Sequence, residues 1–436
     1  LRLLTFKGGI HPKYRKELAK DSPIKRIEPP EFVYLPLSQH TGTPSKPIIE
    51  KKTEVELGMK IAESSGKLSV PLHSSVSGTY MGLENWPHPL GGRKPAMKIK
   101  VDTDKTTDWK GGERDINGFS KDEIVEIIRE SGIVGMGGAA FPTYFKMRVT
   151  PNKKIEDLII NGAECEPYLT ADYRIMLERT EDIFKGIEIL RKVISPERTW
   201  IAVEDNKEEA IEKLKEISKS FPWANITIHK TKYPQGSEKQ LIASIAGKEV
   251  PEGGLPFDVG TYVQNVGTII AIYEALRYSK PLYERVVTVT GPLRDPSNFL
   301  VPIGTPFKYL IEASGGVMGD MIQIINGGPM MGIAQIYPEV PVIKGTTGIL
   351  VRIKKDIDRS EVYPCIRCAS CVEVCPMYLM PTEIYKFIEL ENFEKAEELG
   401  VLSCMECGSC GYVCPSNIPL PQQFKFAKSE IVKKRK

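Results

Sequence analysis

Between Val33 and Val101 apolar residues come in short alternating runs broken by Gly and Pro, through Val55, Gly58 and Ile61 and then LSVPLHSSVSGTY from Leu68. This pattern predicts a small β domain. Past Gly111 and Gly112 the period lengthens. Ile124, Ile127 and Ile128 follow the pair Ser120 and Glu123, a capping-box signature for a helix running to Gly132. A buried strand is expected over Asp157–Asn161. Next come a helix through Ile183, Ile187 and Leu190, a strand over Thr199–Val203, a helix through Ile211, Leu214 and Ile217, and a strand over Ile226–His229. That alternation predicts an α/β unit with a parallel sheet. After Pro281 the chain reads as strands over Val286–Gly291 and Phe299–Gly304, a helix over Pro306–Ala313 and a strand over Met321–Ile325, with NGGPMMG from Asn326 as a turn. Residues 1–30, with FKGGIHP and Pro29-Pro30, lack periodicity and are read as an extended arm.

Composition adds exclusions. The chain has 436 residues, 41% of them hydrophobic and 26% charged, which predicts three or four ordinary globular domains. Its net charge of +3 is dispersed, so no nucleic-acid partner is expected. The longest apolar stretch, Val259–Leu276, is broken by Gln264, Asn265 and Glu274, and no run reaches the roughly 18 residues of a spanning helix. Leu1–Lys20 lacks the apolar core of a signal peptide, so a cytoplasmic location is expected. The basic end, Ile431–Lys436, is read as a frayed, solvated tail. The five histidines have no ligand spacing, and no nucleophile elbow or H-E-x-x-H run is present, so hydrolysis has no machinery.

The chemistry lies in the cysteines. Eight of nine form two copies of C-x-x-C-x-x-C-x-x-x-C-P: Cys365, Cys368, Cys371 and Cys375, then Cys404, Cys407, Cys410 and Cys414. In this run three thiolates hold one 4Fe-4S cube and the fourth crosses to its neighbour. One set is therefore expected to be Cys365, Cys368, Cys371 and Cys414, the other Cys404, Cys407, Cys410 and Cys375. Zinc sites are the alternative, but zinc has no use for a third cysteine at the next x-x-C step. Disulfides suit a small secreted domain better than this chain. The segment between the runs looks helical, with Ile384, Phe387, Ile388 and Leu390 on one side. A cluster pair relays single electrons, so another part of the chain must supply or take them.

A second motif qualifies. Gly135, Gly137 and Gly138 follow the first helix in GMGGAAFPTYFK, where they let backbone N–H groups face an anion such as a phosphate. The spacing Gly135-x-Gly137-x-x-Ala140 meets the dinucleotide pattern, although a helix rather than a strand precedes it. Lys146 beside these glycines can neutralise a phosphomonoester. Glu164 and Glu166 follow the strand ending at Asn161, and ligands of α/β sheets bind at strand carboxyl ends. Cys165 is read as a small packed residue.

These blocks carry a resemblance. GMGGAAFPTYFK, NGAECEP, YPQGSEKQL from Tyr233 and QNVGT from Gln264 resemble, in order and spacing, the FMN- and NADH-binding subunit of respiratory complex I. With the FKGGIHP arm and the cysteine runs, nearly the whole chain resembles the C subunits of Rnf ion-translocating oxidoreductases. The resemblance implies a multidomain fold: an arm over 1–30, a barrel-sandwich hybrid over 31–110, a Rossmann-like FMN/NADH domain over 111–283, a β-grasp module over 284–352 and a helical ferredoxin domain over 353–436. It also implies cofactor contacts. Gly135, Gly137, Gly138 and Lys146 would hold the FMN phosphate, and Asn161 and Glu164 would lie near the isoalloxazine and ribityl chain. Phe141 would stack on nicotinamide and Glu166 and Glu238 would contact the dinucleotide, while Tyr233, Gly236, Asn265 and Thr268 would line the flavin. Met136, Ser237, Gln264 and Gly267 depart from the complex I pattern. Lys67 lies where lipoyl domains carry their cofactor but lacks the acidic flank, so a structural β domain is expected. The implied function is peripheral electron input at the cytoplasmic face of the membrane, with NADH as substrate and with membrane and iron-sulfur subunits as partners. The alternatives are a cobalamin reductase of microcompartments or a relay without catalysis.

Overall fold

The computed structural model describes residues 3–105, 108–149, 153–356 and 360–435. A four-stranded parallel sheet lies at its centre, in the order Ala224–His229, Arg198–Glu204, Asp157–Gly162 and Thr261–Asn265. Both faces are covered, which is why these strands read as nearly continuous apolar runs. Leu158, Ile160, Ile201 and Val203 belong to the core that also holds residues of the helices Lys121–Glu130, Thr180–Ile194 and Val266–Tyr278. Ile159, Ala202 and Val263 point the other way, against Leu241 and Ile242 of the helix Glu238–Ala246. All four carboxyl ends share one edge, so Asn161, Glu204, His229 and Asn265 are brought together there. The Ser120–Glu123 capping box is present and starts the helix Lys121–Glu130.

The β runs near the N-terminus form two small antiparallel sheets, in which the hairpin Gly78–Pro87 with Arg93–Val101 is the longest element. Lys67 is exposed on a loop. The region after Pro281 supplies five strands of a six-stranded mixed sheet, and NGGPMMG is the turn between Met321–Asn326 and Ile333–Gln335.

Three expectations need correction. Residues 3–30 are not extended throughout and are not a free arm: Lys16–Leu18 forms a 3-10 turn, and the extended Ile24–Arg26 is the edge strand of the mixed sheet, parallel to Ser297–Pro302. Earlier, the arm bridges to His229 at Leu4 and to Tyr233 at Ile10. A three-residue strand is too short to show a period, so its pairing decides its structure. The basic end is not frayed, because the helix Leu420–Lys434 continues through it with Ile431 buried beside Phe424 and Ile384; Lys436 lies outside the described residues. In the spacer, Ile384 and Ile388 are buried, but Leu390 caps the helix Pro381–Glu389 and is 67% exposed.

The arm also delivers Lys16 into the α/β unit. Its buried ammonium donates to the carbonyls of Glu164, Leu169 and Glu166, at 2.8, 2.5 and 3.1 Å. Burial lowers its pKa, and Glu164, 3.9 Å away, opposes the shift. Lys16→Met leaves three inward carbonyls and the Glu164 carboxylate without their cation. The expected cost is about 3–5 kcal/mol, read as a lower unfolding midpoint and as faster hydrogen exchange over residues 164–173. Unchanged exchange there would refute the role given to Lys16.

Candidate functional site

The loop from Gly135 to Phe141 closes on itself, with the Gly135 N–H donating to the Phe141 carbonyl at 2.9 Å. It lies over the helix that follows strand Thr261–Asn265. The Thr268 hydroxyl accepts from the Met136 N–H at 2.9 Å, and a Cβ at Gly137 would come within 2.9 Å of the Asn265 amide. Gly137 is therefore glycine because Asn265 fills the space of a side chain, while a Cβ at Gly138 would meet nothing within 4 Å. None of the three glycines has positive φ; the left-handed residue of the loop is Ala140. Gly137, Gly138 and Ala139 are exposed, and so is the Phe141 ring, at 37%.

Lys146 extends from the next helix to the strand ends. Its ammonium donates to the Val263 carbonyl at 2.7 Å and to the Glu238 carboxylate at 3.0 Å, above the Tyr262 ring. Asn161 donates to the Gly236 carbonyl at 2.8 Å and accepts from the Ala163 N–H. Asn265 caps its own helix by accepting from the Gly267 N–H and donates to Asp172 at 2.7 Å. The glycine loop, Lys146, Asn161, Gly236, Glu238, Asn265 and Thr268 thus gather at one sheet edge. An open loop of backbone beside a lysine suits a phosphate-bearing ligand.

Other predicted residues face elsewhere. Glu164 turns to the helix Ala171–Glu178, accepting the N–H groups of Asp172 and Tyr173 at 2.7 and 3.2 Å. Glu166 turns to the mixed sheet, where one oxygen accepts from Met330 and Met331 of the NGGPMMG turn at 2.6 and 3.2 Å. Tyr233 is fully buried, and its hydroxyl donates to the Cys407 carbonyl at 2.7 Å.

Two buried cations behind the glycine loop are not apparent from the sequence pattern. Arg285 is buried and donates to the Met136 carbonyl at 3.2 Å and to the Lys344 carbonyl. Lys344 is buried against the Pro71 and Gly132 carbonyls, and burial pushes its pKa down to about 7. An arginine inside the strand-like run ERVVTVT was the available signal. Lys207, buried between Glu204 at 3.1 Å and the Ala163 carbonyl at 2.6 Å, carried none.

The cysteines line two cavities. Cys365, Cys368, Cys371 and Cys414 surround one, with Thr382 and Tyr385 on its wall. Cys375, Cys404, Cys407 and Cys410 surround the other, with Met405 and Phe424. Each cavity takes its fourth cysteine from the other run. Among the described residues no three His, Cys, Asp or Glu side chains converge as a single ion requires. Four cysteines around one cavity match the ligand number of a 4Fe-4S cube. Cys165 is buried with Ile10, Tyr233 and Cys407, and burial raises its thiol pKa.

Glu166 generates a pH test. Burial pushes its pKa up to about 7, and the Met330 and Met331 N–H groups pull the other way. Because the folded chain holds this proton more tightly than the unfolded chain, stability falls as pH rises from about 4.3 through 7, by roughly 2–4 kcal/mol. Glu166→Gln keeps an acceptor oxygen and removes the charge. The variant is expected to show a flatter stability profile over that window and to be the more stable form at pH 8 in thermal melts. Parallel profiles would contradict this.

Comparison with known proteins follows the same domain order. Residues 4–105 match the RnfC barrel sandwich hybrid domain, 128–274 the Nuo51 FMN-binding domain, 286–334 the SLBB domain and 357–415 the 4Fe-4S dicluster domain. The chain is 42% identical over 402 residues to the C subunit of the proton-translocating ferredoxin:NAD(+) oxidoreductase complex of Clostridium ljungdahlii, covering 91% of this chain and 87% of that one. It is 42% identical to the C subunit of the Na(+)-translocating ferredoxin:NAD(+) oxidoreductase complex of Acetobacterium woodii, covering 90% and 89%. Identity is 38% to the C subunit of the ion-translocating oxidoreductase complex of Rhodobacter capsulatus, covering 92% and 78%. A crystal structure of an NAD+-reducing [NiFe]-hydrogenase in the H2-reduced state shares the fold, with a TM-score of 0.51 at 18% identity over 72% of this chain and 61% of that one. Four family domains in this order, on a scaffold that joins a strand-end site to two cysteine cavities, place the chain in the family of C subunits of Rnf-type ion-translocating oxidoreductases.

Proposed function

We propose that the chain is the electron-input subunit of an ion-translocating ferredoxin:NAD(+) oxidoreductase complex, exchanging hydride between NAD(H) and FMN and passing single electrons through two [4Fe-4S] clusters to partner subunits. The observation that carries this reading is the pair of cavities, each ringed by four cysteines in the crossed pattern, in one chain with the strand-end site. Bound FMN would supply the exchange between hydride chemistry and one-electron transfer. The protein's part is binding and orientation. The Gly137–Ala139 backbone and Lys146 would meet the phosphate, with Glu238 releasing the ammonium that it now holds at 3.0 Å. Asn161, fixed by the Gly236 carbonyl, would present its amide at the strand end. The exposed Phe141 ring offers an apolar face for a nicotinamide. No side chain is required as a general acid or base.

The central parallel sheet supports a Rossmann-like reading of residues 111–283, and the mixed sheet supports a β-grasp reading of 284–352. The domain limits 1–30, 31–110 and 353–436 belong to the same reading. The partners are the other subunits of the complex. Among the described residues no helix is long and apolar enough to cross a membrane, and peripheral attachment at the cytoplasmic face belongs to the same reading. The three relatives, at 38–42% identity, are named as subunits of such complexes, and this favours the reading over a cobalamin reductase.

Anaerobically prepared chain is expected to hold about eight irons with matching sulfide and to lose its flavin absorbance when NADH is added. Zinc in place of iron, or a flavin indifferent to NADH, would overturn the proposal. Lys146→Met is expected to lower retained FMN at least tenfold, because a charge-assisted phosphate contact is worth about 1.5–3 kcal/mol. Equal retention would remove Lys146 from the phosphate site.

A further inference from the structure

The two cysteine sets are not equivalent in their surroundings. Contacts from the rest of the chain reach residues around Cys375, Cys404, Cys407 and Cys410, the inner set. The Gly9 N–H donates to the Val374 carbonyl at 2.8 Å, and Gln240 donates to the Pro376 carbonyl at 3.0 Å. Tyr233 donates to the Cys407 carbonyl at 2.7 Å, and the Met330 carbonyl lies against Gly408. Around Cys365, Cys368, Cys371 and Cys414, the outer set, the hydrogen bonds seen among the described residues join parts of the C-terminal domain. Tyr363 donates to Ser416, Asn417 to Glu361, and the Cys365 sulfur lies 3.6 Å from the Thr382 hydroxyl. Cys365 and Cys368 are exposed, whereas Cys375, Cys407 and Cys410 are buried.

The arm supplies the junction. Gly8 and Gly9 both have positive φ, 79° and 77°. A Cβ at Gly8 would lie 2.9 Å from the Cys375 carbonyl, and one at Gly9 would lie 2.6 Å from the Tyr233 carbonyl. On the far side, Ile10 and Tyr233 exchange backbone hydrogen bonds of 2.8 and 2.9 Å. One extended segment thus touches both the inner cysteine Cys375 and the tyrosine that holds the inner cysteine Cys407.

We infer that Gly8, Gly9 and Tyr233 form a clasp that positions the inner cysteine set against the α/β domain and tunes the centre it holds, while the outer set, with Cys365 and Cys368 exposed, lies outside the clasp. The inference rests on the two-cluster reading above. The Tyr233 hydroxyl aims the positive end of its dipole at a ligand's own carbonyl in a buried place, where such dipoles act strongly. Its field favours the more negative, reduced state of a centre bound there. Loss of the hydroxyl makes the inner centre harder to reduce, and a single buried hydrogen bond limits the effect to about tenfold in the one-electron equilibrium, or about 59 mV.

The test is a redox titration of the anaerobic holoprotein followed by electron paramagnetic resonance. Thr382→Val, beside Cys365, marks the outer signal. Tyr233→Phe keeps the ring and removes only the hydroxyl, and it is expected to lower the inner midpoint while the outer stays in place. Gly8→Ala, which pushes on the Cys375 carbonyl, is expected to alter the inner signal alone. Should Tyr233→Phe leave both midpoints unchanged, or move the outer one, the clasp is overturned. A yield of about four irons per chain instead of about eight would overturn the two-cluster reading, a failure distinct from that of the clasp.

Discussion

The structure depends on two ammonium groups enclosed beside one loop. Lys16 from the arm and Lys207 after strand Arg198–Glu204 approach residues 163–169 and donate to the carbonyls of Ala163, Glu164, Glu166 and Leu169. A loop this deep cannot leave its carbonyls unmet. Cations from distant parts of the chain meet them. Burying them is costly, and the cost is met by carbonyl dipoles together with Glu164 and Glu204. The loop so fixed touches every neighbour: helix Ala171–Glu178 through Glu164, the mixed sheet through Glu166, and the C-terminal domain through Cys165.

The same logic holds the glycine loop. Arg285 takes the Met136 carbonyl and Thr268 the Met136 N–H, so that residue is gripped on both of its backbone groups. What lies past it, from Gly137 to Ala139, is exposed. An anion-binding loop works when its backbone is already aimed, because ordering it on binding would consume affinity. The grip on Met136 also explains why a non-glycine is tolerated in the middle of the glycine run.

Legibility followed physical locality. The capping box, the alternating helices and strands, and the cysteine spacing are short-range signals, and the elements they imply are present. The spacing predicts that each run sends its fourth cysteine to the other, and each cavity is lined by three cysteines of one run and one of the other. Tertiary roles were not legible. Glu164 and Glu166 are two apart in one motif, yet one caps a helix and the other meets a turn 164 residues away. Lys16 sits in an arm without periodicity, so nothing local distinguishes it from the exposed Lys13 or Lys20. Leu390 shows the converse, an apolar residue of the right spacing left outside because its helix ends there.

The crossed lining of the two cavities adds a constraint that acts over the whole C-terminal domain. Neither cavity closes unless the two runs lie side by side, and what holds them there is the packing of Ile384 and Ile388 against Phe424, Ala427 and Ile431. The last helix is therefore not an appendage: its buried face supplies one side of that core, and Lys428 reaches back to Glu406 and the Cys404 carbonyl at 2.8 and 2.5 Å. Metal binding free energy becomes folding free energy when ligands come from separate segments, so a centre held in either cavity would stabilise both. A domain built this way has two cavities beside one apolar core, and the arm that touches Cys375 joins the α/β domain to it.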